Sequence, residues 1–447
     1  MTLLPHIFRE YDIRGIVDVE IDVVFATMLG KAIGTTLLRG GGKRIVMGRD
    51  CRLSGLALSQ ALCEGLLATG CDVIDIGMVS TPVQYWAIHH LKTDAGVCVT
   101  GSHNPPNYNG FKMTVLGRSF FGDDIQQLYA LMQQQSFEQG CGASSKKEVT
   151  AAYIAELSDN LAPGSRGLKV VVDAGNGMGG LTALPLYRNL GFEVVDMYCE
   201  PDGTFPNHHA DPTVAENLAE LQKEVVAQKA DVGIAFDGDA DRLGVIDRQG
   251  EIIWGDQLMI VLSRALLREV PGAVILSEVK SSRTLYDDIK ERGGQAVMWR
   301  TGHSIMKQKM QEIDAALAGE MSGHVFYKHR FYGFDDAVYA GGRLLEILSH
   351  DESAASISEQ LSDVPTTFST PELRVECAED KKVPLMRALM KNFEQDAPQH
   401  GFRIIGIDGA RLEWEDGWGL VRCSNTTPLL ITRYEATSES RLEKIRA

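Results

Sequence analysis

Short apolar runs rich in β-branched residues alternate with longer helix-like stretches along most of this chain. Runs at residues 44–48 and 73–76 flank a helix-like stretch at 56–69. The pattern restarts at Leu168 after a Pro-Gly-Ser sequence, and again at Ala273 after a Pro-Gly pair. Alternation of this kind is typical of α/β layers, in which helices cover a largely parallel sheet. The sequence therefore predicts an α/β protein with three successive similar domains.

The pattern changes from residue 367 onward. Short strand-like runs follow at 373–376, 401–405 and 429–432, and they predict a smaller α+β domain at the end of the chain. We expect the domains to span residues 1–148, 149–253, 254–366 and 367–447. The polar stretch 133–147 is predicted to be a flexible connection between the first two domains.

The net charge and the cysteine pattern indicate which partners the protein can bind and in which cell compartment it works. The formal net charge is -16 over 447 residues, which repels nucleic acids and anionic membranes, and no basic stripe offsets it. The cysteines lack any CxxC pair and are predicted to be reduced thiols. No run approaches the ~20 apolar residues of a membrane span. We therefore expect a cytoplasmic protein without nucleic-acid or membrane partners.

A serine follows the apolar run at 95–99 in the string TGSHNPPNYNGFK, residues 100–112. Ser102 lies between a glycine and a proline-rich turn, where a nucleophile would be exposed and held in place. A serine hydroxyl needs a base or a covalently attached phosphoryl group, and His103 and Lys112 are the nearby titratable candidates. A turn with a solvated serine is the alternative for this string alone.

Three aspartates alternate in the string DGDADR, which also follows an apolar run. Asp237, Asp239 and Asp241 would repel one another unless a cation gathered them, and oxygen ligands suit Mg²⁺. A calcium EF-hand would need Gly and Glu at the sixth and twelfth positions, where this chain has Arg242 and Arg248. A magnesium site is the prediction, and a solvated acidic turn is the alternative.

Polar side chains gather on a third loop, in the string AGEMSGH at residues 318–324, which follows a strand-like run at 313–317. Glu320, Ser322 and His324 alternate there, and such a set can hydrogen-bond sugar hydroxyls. Taken by itself the string is better explained as a structural glycine-rich loop, because such loops are common.

The fourth loop reads VRCSNTTP, residues 421–428. It offers a guanidinium, hydroxyls and an amide, which are donors suited to a phosphate dianion, on Arg422, Ser424, Asn425 and Thr426. A β-turn with a surface arginine uses the same residue types and is left open.

A competing motif lies at residues 173–180. Gly175, Gly177 and Gly180 have the GxGxxG spacing of a dinucleotide site, with Asp196 about 20 residues further on. An NAD-linked oxidoreductase is therefore an alternative. The same glycines also suit a tight strand-to-helix turn in any doubly wound domain. A dinucleotide site, moreover, would explain none of the polar residues in the other loops.

In their order along the chain, these loops resemble those of the α-D-phosphohexomutase family, in particular its bacterial phosphomannomutase/phosphoglucomutase branch. The resemblance runs from YDIRG at residues 11–15 to RCSNT at residues 422–426. It implies four domains around one central cleft, with the fourth able to swing so that a phosphoryl group in transit is shielded from water. It further implies a phosphorylated Ser102 and a Mg²⁺ ion held by a phosphoserine oxygen together with Asp237, Asp239 and Asp241.

The same resemblance assigns the other loops to substrate. Glu320 and Ser322 would hold the sugar 3- and 4-hydroxyls. Met321 resembles enzymes acting on mannose and glucose phosphates, whereas glucosamine-type mutases typically carry Gln there. The phosphate that does not react would be bound by Arg422, Ser424, Asn425 and Thr426; Thr427 departs from the family's usual Glu. Other cleft positions of the family are matched by Tyr11, Arg14, Lys112, Arg242, Lys280, His303 and His324.

The expected activity is the interconversion of hexose 6-phosphate and hexose 1-phosphate through a hexose 1,6-bisphosphate. We expect phosphomannomutase activity with phosphoglucomutase activity beside it, in a monomer or weak homodimer. Either His103 or Lys112 would move the hydroxyl proton, and Arg14, Arg242 and Mg²⁺ would stabilise charge on the transferring group. A phosphoglucosamine mutase and a non-catalytic sugar-phosphate sensor are the remaining alternatives.

Overall fold

The computed structural model describes residues 3–425 and 427–447. The first domain is built on a mixed seven-stranded sheet in the order β1-β5-β4-β2-β3-β7, with β6 paired to β5. Its strands are β1 (Ile13–Ile16), β2 (Arg44–Arg49), β3 (Asp72–Met78), β4 (Ala95–Val99), β5 (Tyr108–Val115), β6 (Arg118–Ser119) and β7 (Ser144–Lys146). Its helices are α1 (Val23–Arg39), α2 (Gly55–Leu67), α3 (Thr81–Leu91) and α4 (Asp123–Gln134), preceded by a 3₁₀ turn at Pro5–Ile7.

The second domain carries a five-stranded sheet in the order β12-β11-β10-β8-β9. The strands are β8 (Lys169–Asp173), β9 (Glu193–Met197), β10 (Val232–Phe236), β11 (Leu243–Asp247) and β12 (Ile252–Ile253). The helices are α5 (Thr150–Asn160), α6 (Gly180–Asn189) and α7 (Ala219–Gln228), with a 3₁₀ turn at Ala215–Leu218.

The third domain has a four-stranded sheet in the order β14-β13-β15-β16. The strands are β13 (Val274–Glu278), β14 (Gln295–Trp299), β15 (Leu317–Gly319) and β16 (Val325–Tyr327). The helices are α8 (Gly255–Glu269), α9 (Arg283–Glu291), α10 (His303–Glu312), α11 (Ala337–His350) and the short α12 (Ile357–Gln360).

The fourth domain differs in topology, with a six-stranded antiparallel sheet in the order β17-β22-β21-β20-β19 and β18 paired to β22. The strands are β17 (Phe368–Ser369), β18 (Leu373–Glu376), β19 (Arg403–Ile405), β20 (Ala410–Trp414), β21 (Gly417–Cys423) and β22 (Leu429–Ala436). The helices are α13 (Glu379–His400) and α14 (Glu439–Arg446). The predicted α/β architecture with a smaller α+β domain at its end is confirmed.

One arrangement recurs in the first three domains. A buried strand runs parallel to one neighbour, ends, and returns as an antiparallel strand: β4 returns as β5, β10 as β11, and β15 as β16. The loops at these reversals are residues 100–107, 237–242 and 320–324. Each loop leaves the carboxyl end of a parallel strand, which is where open α/β sheets place ligands. The repeated topology therefore gives the serine, aspartate and glutamate loops equivalent positions.

The apolar core explains how these loops are held relative to one another. A single buried cluster runs through the first three domains and includes Trp86, Tyr153, Phe236 and Leu344. A separate cluster around Met386 and the strands β20 and β22 lies within the fourth domain. The first three domains thus share one buried cluster, although most of the first domain's core is a separate cluster. The fourth domain has a core of its own and also packs Trp418 and Leu420 against Val279 of the third.

Two sequence-based predictions of local structure were wrong. Residues 133–147 are not simply an irregular connection, because β7 within them pairs in parallel with β3. The strand before the glutamate loop begins at Leu317 instead of residue 313, since α10 ends there and Asp314 adopts a left-handed conformation with φ of 54°. Across the described chain, no helix combines the length and the apolar character needed to cross a bilayer.

Candidate active site

Ser102 lies in the loop between β4 and β5 and is buried, so the prediction that it is exposed was wrong. Its hydroxyl donates a hydrogen bond to Oδ2 of Asp237 at 2.8 Å, and its Oγ is 3.1 Å from Nδ1 of His103. The backbone of Ser102 has φ of 48°, a left-handed conformation that costs a non-glycine residue about 1–2 kcal/mol. Such a conformation persists where surrounding contacts impose it. The serine and aspartate loops thus meet at this side chain.

Close backbone approach makes that meeting possible. A Cβ atom on Gly238 would clash with the carbonyl oxygen of Ser102, so the position between the first two aspartates must be glycine. In the same loop, Ala240 has φ of 62°, which turns the chain so that all three aspartates face inward. In the DGDAD string, the aspartates therefore provide the converging carboxylates, and Gly238 and Ala240 provide the turn between them.

Asp237, Asp239 and Asp241 are buried, and one carboxylate oxygen from each lies within 4.8 Å of the others. The ammonium of Lys112 donates to Oδ2 of Asp239 at 2.7 Å and also to Asp241. Thr81, at the first turn of α3, donates its hydroxyl to Asp239 at 2.5 Å. Lys112 and Thr81 therefore compensate two of the three carboxylates.

The pKa values of the three carboxyls differ in direction. Burial raises the pKa of Asp237 well above its ordinary value, and the neighbouring Asp241 and Asp239 raise it further. Burial also opposes ionisation of Asp239 and Asp241, but the Lys112 ammonium outweighs it, and the pKa values of both are lowered. One lysine is thus insufficient to keep all three carboxylates ionised.

These residues fit a hard divalent cation. Oδ1 of Asp239 is buried and accepts no hydrogen bond from the residues that the structure describes. Three convergent carboxylates, one with a free oxygen and one with a raised pKa, supply the oxygen ligands and the unbalanced negative charge that such an ion needs. The acidic triad could therefore bind a metal ion.

His324 connects the aspartate loop to the glutamate loop. Its Nε2 lies 3.4 Å from Asp241, and its Nδ1 lies 3.0 Å from Glu320 and 2.8 Å from the hydroxyl of Ser322. Burial opposes protonation of His324, but Asp241 and Glu320 outweigh it and raise its pKa to about 9. Backbone pairing between Arg242 and His324 holds the two loops together. The second and third domains thus share this part of the cleft.

His303, at the start of α10, stacks on His324 with ring centroids 5.4 Å apart. Burial and the adjacent Lys307 lower its pKa well below the ordinary value. Nδ1 of His303 is 3.5 Å from Asp335, which also accepts a 2.7 Å bond from Lys307. Asp241, His324 and Asp335 are close enough to hold a metal. Because the pKa of His324 is raised to about 9, its protonated ring offers no ligand atom near pH 7, and the aspartate triad is the better candidate.

Two arginines border the serine. Arg14, on β1, donates to Asp12 at 2.7 Å and to Oδ1 of Asn104 at 2.8 Å. Arg242 lies 3.7 Å from Asp211, and its Nε has no hydrogen-bond partner within the described ranges. Both guanidiniums therefore carry positive charge to the edge of the serine and aspartate loops.

The fourth-domain loop lies against the other end of the cleft. Arg422 donates through Nε to Asp408 at 2.9 Å, while its buried Nη2 has no partner among residues 3–425 and 427–447. Ser424 and Thr427 share a 2.7 Å hydroxyl contact, and Lys382 donates to both of their carbonyls. Thr426 lies outside the described residues.

Tyr11 links three domains at this end. Its hydroxyl donates to the carbonyl of Thr301 at 2.6 Å and accepts a hydrogen bond from the amide of Asn425. Asp408 also accepts from the backbone N–H of Thr301 at 3.0 Å. Lys280 pairs with Glu372 at 2.5 Å across the third and fourth domains. The structure therefore has the fourth domain in contact with the rest of the cleft.

Sequence reasoning missed several residues that support the site. Asp50 and Arg52 lie beneath the serine loop, Glu278 accepts from the backbone of Met321 at 2.7 Å, and Asp408 holds Arg422. No motif marks them, since each acts through contacts with distant parts of the chain. The GRDCRLS string at the end of β2, in which Asp50 and Arg52 are buried, was the one available signal.

The glycine-rich string at 173–180 forms the turn between β8 and α6. Gly177 packs against Gly238, where a Cβ would clash with the aspartate-loop backbone, and Asp173 accepts from His208 at 3.0 Å. Asp196 pairs with Arg188 at the surface. Gly177 thus serves the packing of the aspartate loop, while Gly175 packs against Ala210 and Gly180 against Cys199.

A serine hydroxyl, a carboxylate triad suited to metal, and basic groups around one cleft are typical of a phosphoryl-transfer enzyme. Family models match all four domains. The first three are the phosphoglucomutase/phosphomannomutase alpha/beta/alpha domains I, II and III, at residues 5–139, 151–250 and 254–368. The fourth is the C-terminal domain of the same proteins, at residues 372–447. The chain belongs to the phosphoglucomutase/phosphomannomutase family.

Full-length relatives agree with this assignment. A phosphomannomutase/phosphoglucomutase of Pseudomonas aeruginosa is 45% identical over 445 residues, covering 100% of this chain and 95% of the relative. A phosphoglucomutase of Neisseria gonorrhoeae is 43% identical and covers 99% of this chain and 96% of its own. A crystal structure of a family protein from Burkholderia thailandensis has a TM-score of 0.92 at 43% identity, covering 100% and 96% of the two chains. The predicted family resemblance is confirmed.

Proposed function

We propose that this chain interconverts hexose 6-phosphate and hexose 1-phosphate, with Ser102 as the carrier of the phosphoryl group. The observation that carries the proposal is the 2.8 Å hydrogen bond between Ser102 and Asp237, because it joins the hydroxyl to the acidic triad. The names of the relatives, phosphomannomutase/phosphoglucomutase and phosphoglucomutase, support mannose and glucose phosphates as substrates.

In the proposed transfer, a sugar hydroxyl oxygen forms a bond to the phosphorus of phospho-Ser102 while the bond from phosphorus to Oγ breaks. The product is a hexose 1,6-bisphosphate and a free Ser102. The sugar hydroxyl loses a proton to a protein base, and Oγ gains one. The reverse transfer, from the other phosphate of the bisphosphate, restores the phosphoserine.

His103 is better suited than Lys112 to move a proton at Oγ. Its Nδ1 is 3.1 Å from Oγ, and burial, with Arg242 and Arg14, lowers its pKa so that the ring is neutral near pH 7. Burial opposes protonation of Lys112, but its ion pairs with Asp239 and Asp241 outweigh this and raise its pKa. Lys112 is then a permanent cation that stabilises charge.

We propose that Asp237, Asp239, Asp241 and an oxygen of phospho-Ser102 hold Mg²⁺. When bound, the ion would neutralise charge on the phosphoryl oxygens as transfer proceeds. Arg14 and Arg242, at the edge of the loops, contribute positive charge from the protein itself. Lys112 keeps Asp239 and Asp241 ionised as ligands.

Turnover of a bisphosphate requires a second phosphate site, because one phosphate lies at Ser102 while the other, which is not being transferred, must be bound elsewhere. Arg422, with its unengaged Nη2, would hold the resting phosphate together with Ser424, Asn425 and Thr426. Tyr11, Lys280 and His303 would line the path between the two sites, and Glu320, Ser322 and His324 would bind the sugar hydroxyls.

The activity is tested with a coupled assay on mannose 1-phosphate, glucose 1-phosphate and glucosamine 1-phosphate, with Mg²⁺ and a trace of glucose 1,6-bisphosphate. We expect turnover of the mannose and glucose esters and little of the glucosamine ester. Faster turnover of the glucosamine ester would make the chain a phosphoglucosamine mutase. Binding without turnover of any ester would make it a sensor and would contradict the proposal.

Several coarser properties belong to the same proposal. We infer domain boundaries at 1–148, 149–253, 254–366 and 367–447, supported by one separate sheet in each range. We also infer a cytoplasmic protein that is a monomer or weak homodimer. The net charge of -16 supports the absence of nucleic-acid and anionic-membrane partners.

A further inference from the structure

Arg52 lies beneath the serine loop and is fully buried. Its Nη2 donates to the carbonyls of Ser102 at 2.8 Å and Asn104 at 2.5 Å. Its Nη1 donates to the carbonyls of Pro105 at 2.5 Å and Tyr108 at 2.9 Å, and its Nε to Asp50 at 3.2 Å. A guanidinium has five N–H donors in a fixed planar fork, and here the loop and Asp50 use them all.

Asp50 holds the same loop from its other side. Its Oδ2 accepts hydrogen bonds from the hydroxyl of Thr100 at 2.7 Å and the backbone N–H of Gly101 at 3.1 Å. The Thr100 oxygen in turn accepts from the backbone N–H of Ser102 at 2.9 Å. The peptide groups on both sides of Ser102 are therefore fixed through two buried charged residues.

The fit around the guanidinium is tight. A Cβ on Gly101 would clash with Arg52, so the loop backbone lies directly on the guanidinium plane. From the opposite domain, the ring of Phe205 lies 5.0 Å from Cζ of Arg52. Ser102 has its left-handed backbone where these contacts converge. The support is thus located at the residue with the least favourable conformation in the loop.

We propose that Arg52 and Asp50 are positioning residues that hold Oγ of Ser102 against the acidic triad. This inference rests on the proposed role of Ser102 as phosphoryl carrier. Neither residue touches Oγ, so both act through the loop backbone. Lysine at position 52 would keep the charge but would offer three donors without the planar fork, and the loop would lose part of its support.

The test compares Arg52→Lys with wild type and with Arg343→Lys. Arg343 is equally buried but lies on α11, where it pairs with Glu269 and Glu346. For Arg52→Lys we expect kcat to fall by roughly 10- to 100-fold with KM changed less than about twofold, because misplacement of a reacting group acts on the transition state. Single-turnover transfer from phospho-Ser102 to sugar phosphate should slow by the same factor.

Both substitutions replace a buried guanidinium and should lower Tm. Arg343→Lys should leave kcat within about twofold of wild type, because Arg343 does not contact the serine loop. Equal kcat in Arg52→Lys and wild type would overturn the inference, as would an equal loss of kcat in both variants. If Arg52→Lys does not fold, Thr100→Val removes the link to the Ser102 N–H and is expected to lower kcat. An unchanged kcat in Thr100→Val would then overturn the inference.

Ser102→Ala and Arg52→Lys test the carrier role and the positioning role separately. Wild-type turnover that persists in Ser102→Ala would overturn the carrier role and the present inference together. Turnover that requires Ser102 but is indifferent to Arg52→Lys would overturn the positioning role alone.

Discussion

The hydroxyl of Ser102 donates a 2.8 Å hydrogen bond to Asp237, a residue 135 positions further along the chain and in a different domain. The contact is buried and joins the serine loop of the first domain to the aspartate loop of the second. In the proposed mechanism, a divalent cation would balance the charge of the three convergent carboxylates beside this hydroxyl and so allow phosphoryl transfer.

Removal of divalent metal should abolish activity and lower stability. The triad has three buried carboxylates and one compensating lysine, so binding of Mg²⁺ to the folded state should raise Tm. At a Mg²⁺ concentration about 100 times Kd, the gain in unfolding free energy is ~2.7 kcal/mol. The measurement is thermal unfolding and turnover in EDTA and after Mg²⁺ is restored.

Asp237→Asn should lose this response to Mg²⁺. In EDTA it should be at least as stable as wild type, because it removes the carboxyl whose pKa is raised by burial and by its neighbours. Asp196→Asn, at the surface, is the matched control and should keep the full response. A Tm of wild type that is indifferent to both EDTA and Mg²⁺ would contradict the metal assignment.

Arg422→Gln should weaken substrate binding more than it slows the chemical step. A charge-assisted hydrogen bond contributes ~1.5–3 kcal/mol, so KM for the sugar phosphate should rise by about 10- to 100-fold. Arg441→Gln, on the same domain but paired with Asp416 near the surface, should leave KM unchanged. Steady-state kinetics separates the cases, and a KM for Arg422→Gln within about twofold of wild type would exclude the phosphate role.

The stability of the fold should depend on pH through Asp336, the N-cap of α11. Burial raises its pKa from 3.8 to about 7, although Tyr339 and Tyr153 donate hydrogen bonds to it. Between these pH values the native carboxyl holds a proton that the unfolded one has lost. Its contribution to the free energy of unfolding is therefore fully present below about pH 4 and falls as pH rises to about 7.

Asp336→Asn removes this titration while leaving an acceptor for the helix N-terminus. The Tm of the variant minus that of wild type should accordingly increase from about pH 4 to about pH 7 and then level. Thermal unfolding in a series of buffers measures the difference. A difference that stays constant over this range would show that Asp336 does not titrate there.

The sequence predicted the chemistry-bearing loops because each follows a recognisable buried strand and holds its residues close together. Ser102 and the three aspartates are local motifs, and each lies where open α/β sheets place ligands, at the carboxyl end of a parallel strand of its own sheet. The supporting residues were not predictable in this way. Arg52 is 50 residues from Ser102, and Asp408 is 107 residues from Thr301, so their contacts exist only once the domains have packed.

Local structure was missed where tertiary contacts overrode composition. Residues 144–146 have little β-propensity, and their pairing with β3 at the sheet edge makes them a strand. The start of β15 was placed too early because Ile313 continues the apolar pattern of the following strand while its backbone still ends α10. Periodicity alone does not separate a helix end from a strand start.

The most direct test of the central claim is the covalent state of Ser102. Wild-type protein is incubated with glucose 1,6-bisphosphate and Mg²⁺, and intact mass and peptide mapping are compared with Ser102→Ala. We expect the mass of one phosphoryl group on Ser102 of the wild type, its loss on addition of hexose monophosphate, and neither phosphate nor mutase turnover in the variant. Near-normal turnover by Ser102→Ala with added bisphosphate would contradict the account.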